Sequence, residues 1–523
     1  LFKIKPLLYY QKRRTFLGGE RIYPKGNVVF LIRIRKGMNL SRTLKSLIQQ
    51  TNPSWLAYIF FENEEARRVK YNLNDQKVKF LDSVNVFWNE LDFLDKKYIC
   101  FLDAGDEVDK KFVEILQYSE GDIVYFDQDL INRKKYNCFL KPKWSFELWK
   151  SINLLHGAAF SISLLRTLPA NKFNGNILYL CAEALLQAKK ILHIPTILLH
   201  CKNFPWEDDQ LINEHKQQVE YYLRNIQFIN KPVIQKRSNG SLKLKWGIVN
   251  KYISIVIPTR NHFQQIKRCI NSIMDNSNNS VFELIIVDNN STEKDVLDYY
   301  SDLELAEINF RIINTEMPFN FSRACNQGAA RATGDLLLFL NNDTEIIDPD
   351  WLTNLAGVLQ IPGVGVVGPK LLYPDGSVQH AGIVIGLEGH ASHVFMGVKS
   401  DIYTPYGYVD WMRNVSAVTG ACMMVRRDAF EKVGGFDESL TLAFGDVDLC
   451  LRIIDAGYRI VYTPDVQLIH YEGRTRGKYI PKQDFLAKRE YFREKIKQGD
   501  PYYNPNLSRA WRIPIIRQPW EMD

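Results

Sequence analysis

No stretch of the 523 residues approaches the run of about 18 apolar side chains that a membrane-crossing helix requires. The opening Leu-Phe-Lys-Ile-Lys has no signal-peptide core, and because residue 1 is Leu, nothing follows about an upstream anchor. Cysteine is scarce, with 8 residues, no CxxC pair and most of them inside apolar runs, which excludes a disulfide framework and points to reduced, buried thiols in a cytoplasmic setting. Charge of one sign is also lacking: 67 Lys and Arg against 59 Asp and Glu leave a net +8 spread along the chain, so no nucleic-acid partner is expected. No GxxxxGK[ST] loop occurs, which removes a P-loop kinase or ATPase.

What is present is an ordinary globular composition, 46% hydrophobic and 24% charged, over a length that suits two to four domains. The chain repeats itself at a spacing of about 225 residues. The first copy has apolar strands at 28–34, 57–61 and 98–102, the last two ending in Glu62-Asn63-Glu64 and Asp103-Ala104-Gly105-Asp106-Glu107. The second has strands at 253–257, 283–287 and 336–340, the last two ending in Asp288-Asn289-Asn290 and Asn341-Asn342-Asp343. Strands alternating with amphipathic helices predict an α/β fold built on mainly parallel sheets, with ligands at the carboxyl ends of the strands. The basic, polar stretch Lys231–Lys251 suits a linker with the boundary near 245, and a charged helix at 484–498 followed by Asp500-Pro-Tyr-Tyr-Asn-Pro-Asn506 suits an appendage. The organisation predicted is 1–245, 246–480 and a helical and extended tail, 481–523.

Gly363-Val-Gly-Val-Val-Gly368 matches GxGxxG but follows a helical pattern instead of a strand, the wrong context for a dinucleotide fingerprint. Asp343 and a late His470, with the oxygens of a bound diphosphate and water, make a partial shell for Mg²⁺ or Mn²⁺. Asp446 and Asp448 open an apolar helix two residues apart, hence on different faces. Asp448 stands four residues before Arg452, in reach of an ion pair, which leaves Asp446 as the candidate base.

These residues, in this order, resemble an inverting family 2 glycosyltransferase of the GT-A fold, closely over 252 to about 477. The resemblance rests on Ser254-Ile-Val-Ile-Pro-Thr-Arg-Asn261, Glu283-Leu-Ile-Ile-Val-Asp-Asn-Asn-Ser-Thr292, the run from Asn326 to Asp343, and Gly434-Gly-Phe-Asp-Glu438 leading to Asp446. Gln379-His-Ala-Gly382, Ser416–Cys422 and His470–Gly477 make it most similar to bacterial cell-surface polysaccharide transferases, including rhamnosyltransferases. The resemblance implies a nucleoside pocket at Pro258, Thr259, Asp288 and Asn290, and a DxD position at Asn341-Asn342-Asp343 whose first Asp has become Asn. It further implies Asp343 and His470 as ligands of a divalent cation, and Asp446 as the base that activates the acceptor. The implied donor is a nucleotide-diphosphate sugar, UDP or dTDP, and the implied acceptor a glycan or lipid-linked saccharide, met in the cytoplasm or at the inner face of the membrane. Peripheral membrane contact and oligomeric state stay open.

The first copy resembles a family 2 domain with eroded chemistry. Arg33 stands for the first-strand Pro, Glu62-Asn63-Glu64 for the nucleoside acids and Gly105 for the second DxD Asp, and 178–183 lacks a catalytic Asp. An inactive or acceptor-binding domain is expected, with Asp103 and Asp106 as altered ligands if it transfers. His380, His390 and His393 are read as acceptor or diphosphate contacts, and Trp411 and Arg413 as sugar-site or core residues.

Overall fold

The structure, a computed structural model, describes residues 28–63, 76–82, 87, 97–131, 137–168, 177–226, 230–277, 280–305, 309–315, 318–471 and 482–521. Glu64 and residues 472–477 of the quoted motifs lie outside the described residues. The first half contributes strands β1 (Val28–Ile34), β2 (Trp55–Phe61), β3 (Val78–Leu81), β4 (Tyr98–Asp103), β5 (Glu107–Val108), β6 (Ile123–Leu130), β7 (Cys138–Phe139), β8 (Ala159–Ser161) and β9 (Ile191–Cys201). A hairpin, β10 (Val233–Lys236) and β11 (Leu242–Lys245), follows. The second half contributes β12 (Ile253–Thr259), β13 (Phe282–Asp288), β14 (Phe310–Asn314), β15 (Leu336–Leu340), β16 (Thr344–Ile346), β17 (Val364–Leu372), β18 (Val378–His380), β19 (Ile383–Leu387) and β20 (His390–His393). After these come β21 (Tyr403–Thr404), β22 (Gly407–Tyr408), β23 (Arg413–Asn414), β24 (Cys422–Arg426) and β25 (Arg459–His470).

The two halves are tandem GT-A-like domains. Among the described residues the first sheet runs β3-β2-β1-β4-β8-β6-β9-β5 and the second β14-β13-β12-β15-β24-β17-β25-β16, the same order position by position. In both, the first four strands of that order are parallel and β8 or β24 enters antiparallel. The central strands are continuous apolar runs, as Leu336-Leu-Leu-Phe-Leu340, because helices cover both faces and every side chain of the strand is buried. Register fixes the equivalences. Val28 pairs with Trp55 and Tyr98 as Ile253 pairs with Phe282 and Leu336, so Asp103 occupies the position of Asn341. Glu107 faces His200 as Glu345 faces Ile469, so Cys201 occupies the position of His470.

The expected linker is folded structure. Val233–Lys236 and Leu242–Lys245 pair antiparallel, and Ile234, Leu242, Leu244 and Trp246 are buried. Trp246 packs where Gly357 leaves room, since a Cβ there would stand 2.1 Å from the indole. Alternation of apolar and basic residues, as in Leu242-Lys-Leu-Lys245, is the signature of a half-buried hairpin.

The halves are locked together by polar contacts out of water. Glu147, 0% exposed, takes Lys150 at 3.4 Å from its own helix and Arg459 at 3.0 Å from the second half. Ser145 Oγ donates to Asn414 Oδ1 at 2.8 Å. Trp411, 0% exposed, meets Phe139 and Trp206 of the first half edge-to-face, and the buried Arg413 donates to the carbonyls of Tyr406 and Tyr408 while stacking on the Tyr406 ring. Both therefore belong to the interface and its core, not to a sugar site.

The tail is a strap. Asn504 Nδ2 donates to both oxygens of the buried Asp127 in the first half at 3.0 Å, and Asn506 Nδ2 to the Pro195 carbonyl at 2.8 Å. On the other side Asp500 accepts from the Ile385 amide at 2.8 Å and the Tyr502 carbonyl accepts from Tyr406. No described helix is long and apolar enough to cross a membrane.

Candidate functional site

The carboxyl ends of β12, β13 and β15 meet at one edge of the second sheet. Thr259 Oγ1 accepts from Asn342 Nδ2 at 2.9 Å, and the Asn289 amide donates to the Thr259 carbonyl at 2.9 Å, so first strand, second strand and the 341–343 turn are tied. Pro258 is buried opposite Val287 and presents no N–H to the ladder. Asp288 is committed to its own loop: one oxygen accepts from the Ser291 amide at 2.7 Å, the other from Ser291 Oγ at 2.6 Å and Tyr300 OH at 2.8 Å. Burial and the Asp288 charge together push the Tyr300 phenol far above its usual range, so it donates throughout. Asn261 and Asn290 take left-handed backbone, φ 53° and 55°, which asparagine tolerates best after glycine. They turn the loops so that Asn261 Oδ1 caps the Thr292 and Glu293 amides at 2.7 and 3.2 Å.

The sharpest geometry lies between Asp343 and His470. Pairing of Thr344 with His470 brings the turn against the last strand, and Asp343 Oδ1 stands 3.0 Å from His470 Nε2. The other ring nitrogen, Nδ1, donates to Gln379 Oε1 at 2.6 Å, and Gln379 Nε2 donates to the His470 carbonyl at 3.4 Å. A carbonyl only accepts, which fixes the orientation of the Gln379 amide and makes Nδ1 the donor to it; in the neutral imidazole that tautomer turns the Nε2 lone pair toward Asp343. Two electron-pair donors then converge, with Asn341 Nδ2 at 3.5 Å from Nε2, so a positive charge belongs between them. The donor set of carboxylate, imidazole and turnable amide fits a hard or borderline divalent cation, and Gln379 is the outer partner that orients the imidazole. Gln379 stood in a quoted motif, but this task was not legible from spacing.

Asp446 sits in the first turn of the helix Gly445–Asp455. Its Oδ2 accepts from the Gly420 amide at 2.9 Å and Oδ1 from the Val447 amide at 2.8 Å, leaving each oxygen a further lone pair. The neighbouring Ala421 carbonyl accepts from the Asn341 amide at 3.0 Å, so one backbone step joins Asp446 to the 341–343 turn. Asp448, 0% exposed, binds Arg452 at 2.7 Å and Lys488 at 3.1 Å, the structural role expected of it.

In sequence Asp484 is only the first residue of a charged helix. It is 1% exposed and accepts from the amides of Thr441, Leu442 and Ala443 and from Thr441 Oγ1, at 2.7 to 3.0 Å. Burial would raise its pKa, but these donors more than offset it and hold the carboxyl below its usual value. The loop so pinned runs directly into Asp446. Asp484→Ala is expected to lower kcat about tenfold or more through misplacement of Asp446, with donor affinity unchanged, in steady-state kinetics with donor binding measured separately.

The expectation for His380 is corrected. His380 is 0% exposed and packs on His393, Nδ1 to Nδ1 at 3.2 Å, because hairpin β19–β20 folds back over it, so it contacts no ligand from there. Gly365 and Gly368 lie inside strand β17, and a Cβ on Gly368 would come 2.6 Å from Val418: they are packing glycines. In the tail, Lys488 pairs with Asp437 and Asp448, and Lys495 with Asp455.

In the first half the equivalent edge is filled by charge pairs. Arg33 reaches Asp103 at 2.7 Å, Glu214 at 2.7 Å and Glu62 at 3.3 Å. The acid of helix Ile177–Gln187, Glu183, accepts from Tyr221 OH at 2.7 Å, and no Asp stands in that helix.

Residues 254–434 match the sequence model of Glycosyl transferase family 2. An uncharacterized protein of Sinorhizobium fredii is 34% identical over 444 residues, 79% of this chain and 48% of its own length. The O-antigen biosynthesis protein RfbC of Myxococcus xanthus is 39% identical over 262 residues, 49% of this chain and 20% of its own. An N-acetylglucosaminyl-diphospho-decaprenol L-rhamnosyltransferase of Mycobacterium tuberculosis is 33% identical over 124 residues, 22% of this chain and 40% of its own. The chain thus spans about half or less of the length of these relatives. Among solved structures, GalNAc-T7 with UDP, GalNAc and Mn²⁺ aligns at a TM-score of 0.38 and 15% identity over 47% of this chain and 48% of that one.

Proposed function

We propose, from the premise that residues 254–434 are a family 2 glycosyltransferase domain, that the second half transfers a sugar from a nucleotide-diphosphate sugar to a glycan or lipid-linked acceptor in cell-surface polysaccharide synthesis. The convergence of Asp343 and His470, with the His470 tautomer set by Gln379, carries the reading. The loops at Pro258–Asn261 and Asp288–Thr292 would receive the nucleoside, with Thr259 closing strand β12 beneath them and Asn290 exposed in the second loop, and UDP or dTDP is the nucleotide proposed. Asp343, His470 and Asn341 would hold Mn²⁺ or Mg²⁺, which when bound supplies Lewis-acid neutralisation of the departing diphosphate. Asp446 takes the proton of the acceptor hydroxyl as its oxygen bonds the anomeric carbon and the carbon–phosphate oxygen bond breaks. One displacement of this kind inverts the anomeric centre. The first half, with Arg33 bound across the acids of its strand ends, is proposed to pack and to present acceptor instead of transferring.

Thermal unfolding against UDP-, dTDP- and GDP-sugars, each with and without Mn²⁺, tests the donor site. At about 100 times its dissociation constant the right donor adds roughly 2.7 kcal/mol. That gain is expected to vanish without Mn²⁺ and in Asp343→Ala and His470→Ala. Equal stabilisation of wild type and both variants would remove the cation from the reading.

A further inference from the structure

We infer that Asp106, His156 and Cys201 form a transition-metal site of the zinc type in the first half of the chain. One ligand atom from each lies within 4.8 Å of the others, and His156 Nε2 stands 2.8 Å from Asp106 Oδ2. Carboxylate, imidazole and thiolate on a single point are the donor set that selects Zn²⁺, in contrast with the harder set at Asp343 and His470. Asp106 is 5% exposed, Cys201 0% and the His156 side chain 9%, so the three groups are held largely out of bulk water.

Sheet register explains how the site arose. Cys201 ends strand β9 where His470 ends β25, and Asp106 and Cys201 each stand one residue beyond the Glu107–His200 pair, as Thr344 and His470 stand one beyond Glu345–Ile469. Cys100 pairs with Ala159 as Leu338 pairs with Met424, which puts His156 where the second half has Ala421. A thiol has replaced the imidazole, and an imidazole has entered from the turn before β8, where the equivalent segment of the other half gives its Ala421 carbonyl to the Asn341 amide. The Asp106 carboxylate is pre-aimed: its second oxygen accepts from the Lys202 amide at 3.1 Å, and the Asp106 carbonyl accepts from Thr43 Oγ1 at 2.7 Å.

The site is not a displaced donor site. Asp103, which holds the position of Asn341, is bound by Arg33 through two hydrogen bonds of 2.7 and 3.2 Å, so no second carboxylate is free to share a cation with a diphosphate. Three protein ligands leave one tetrahedral position to water. Binding releases the Cys201 thiol proton and fastens the 103–107 turn, the loop before β8 and the end of β9 to one ion.

Co²⁺ titration of the reduced, chelator-treated full chain carrying Asp343→Ala and His470→Ala tests the site free of the other one. The expected result is a thiolate-to-cobalt charge-transfer band with tetrahedral d–d absorption, saturating at one ion per chain and bleached by Zn²⁺. Cys201→Ser should abolish the charge-transfer band, and His156→Phe should weaken Co²⁺ binding about tenfold or more. Absence of the band, or its persistence in Cys201→Ser, overturns the site. Should Cys201→Ser fail to fold, His156→Phe and Asp106→Asn decide: unchanged Co²⁺ affinity in both overturns it, and weakened affinity in both supports it.

Discussion

Asp446→Asn is expected to leave the nucleotide sugar bound and to stop its transfer. The amide is isosteric, and its oxygen can keep the 2.9 Å bond from the Gly420 amide, so the adjoining Ala421 to Asn341 contact should survive, while the 2.8 Å bond from the Val447 amide is given up. What is lost is a group able to take a proton from the acceptor hydroxyl. General-base catalysis contributes about 10²–10⁴ in rate, so kcat should fall by that factor, while donor-induced stabilisation with Mn²⁺ stays at its wild-type value. Turnover within threefold of wild type would assign the base elsewhere. Glu438 is a poor substitute, because its carboxylate already accepts from Asn326 Nδ2 at 3.0 Å.

The largest effect on stability is expected from Glu147→Ala. Glu147 and Lys150 are 0% and 1% exposed, and Arg459 from the second half closes the trio. Burial alone would raise the Glu147 pKa, but Lys150 and Arg459 more than offset it and bring it down to about 2. Removing the carboxylate strands Lys150 in the interior, a loss of about 3–5 kcal/mol. The denaturation midpoint in urea should fall accordingly, with both halves losing their interface at once. The double variant Glu147→Leu/Lys150→Met should recover most of that loss, since a buried pair and a packed apolar pair differ little. The pH dependence has a definite sign. A carboxyl whose folded pKa is depressed contributes stability that is fully present above its ordinary value of 4.5 and is lost as pH falls through about 2, so acid unfolding of wild type should show a component in that window that Glu147→Gln lacks.

The duplicated fold was legible because its evidence is local. Continuous apolar strands such as Leu336–Leu340 and the acids that end them are written in adjacent residues, and the same plan occurs twice, whereas the strand order was not legible. Asp446, Asp448 and Arg452 were legible for the same reason, since helix spacing decides which faces they share. Gln379 and Asp484 were not. Each acts on a residue 91 or about 40 positions away, through contacts that exist only once the strands are paired and the tail is docked. Trp411 and Arg413 were ambiguous because an aromatic and a cation suit a sugar face and a domain seam equally, and only the neighbours Phe139 and Trp206 decide. The charge plug at Arg33 was half legible: the substitution was visible in β1, but its partner Glu214 lies 181 residues on.

The strap at 500–507 sets an order of events during synthesis. A ribosome delivers the first sheet long before residue 504, and until then the carboxylate of Asp127, 0% exposed in the finished protein, lacks two of the hydrogen bonds that surround it. The first domain therefore waits through the making of the entire second domain before its interior is satisfied.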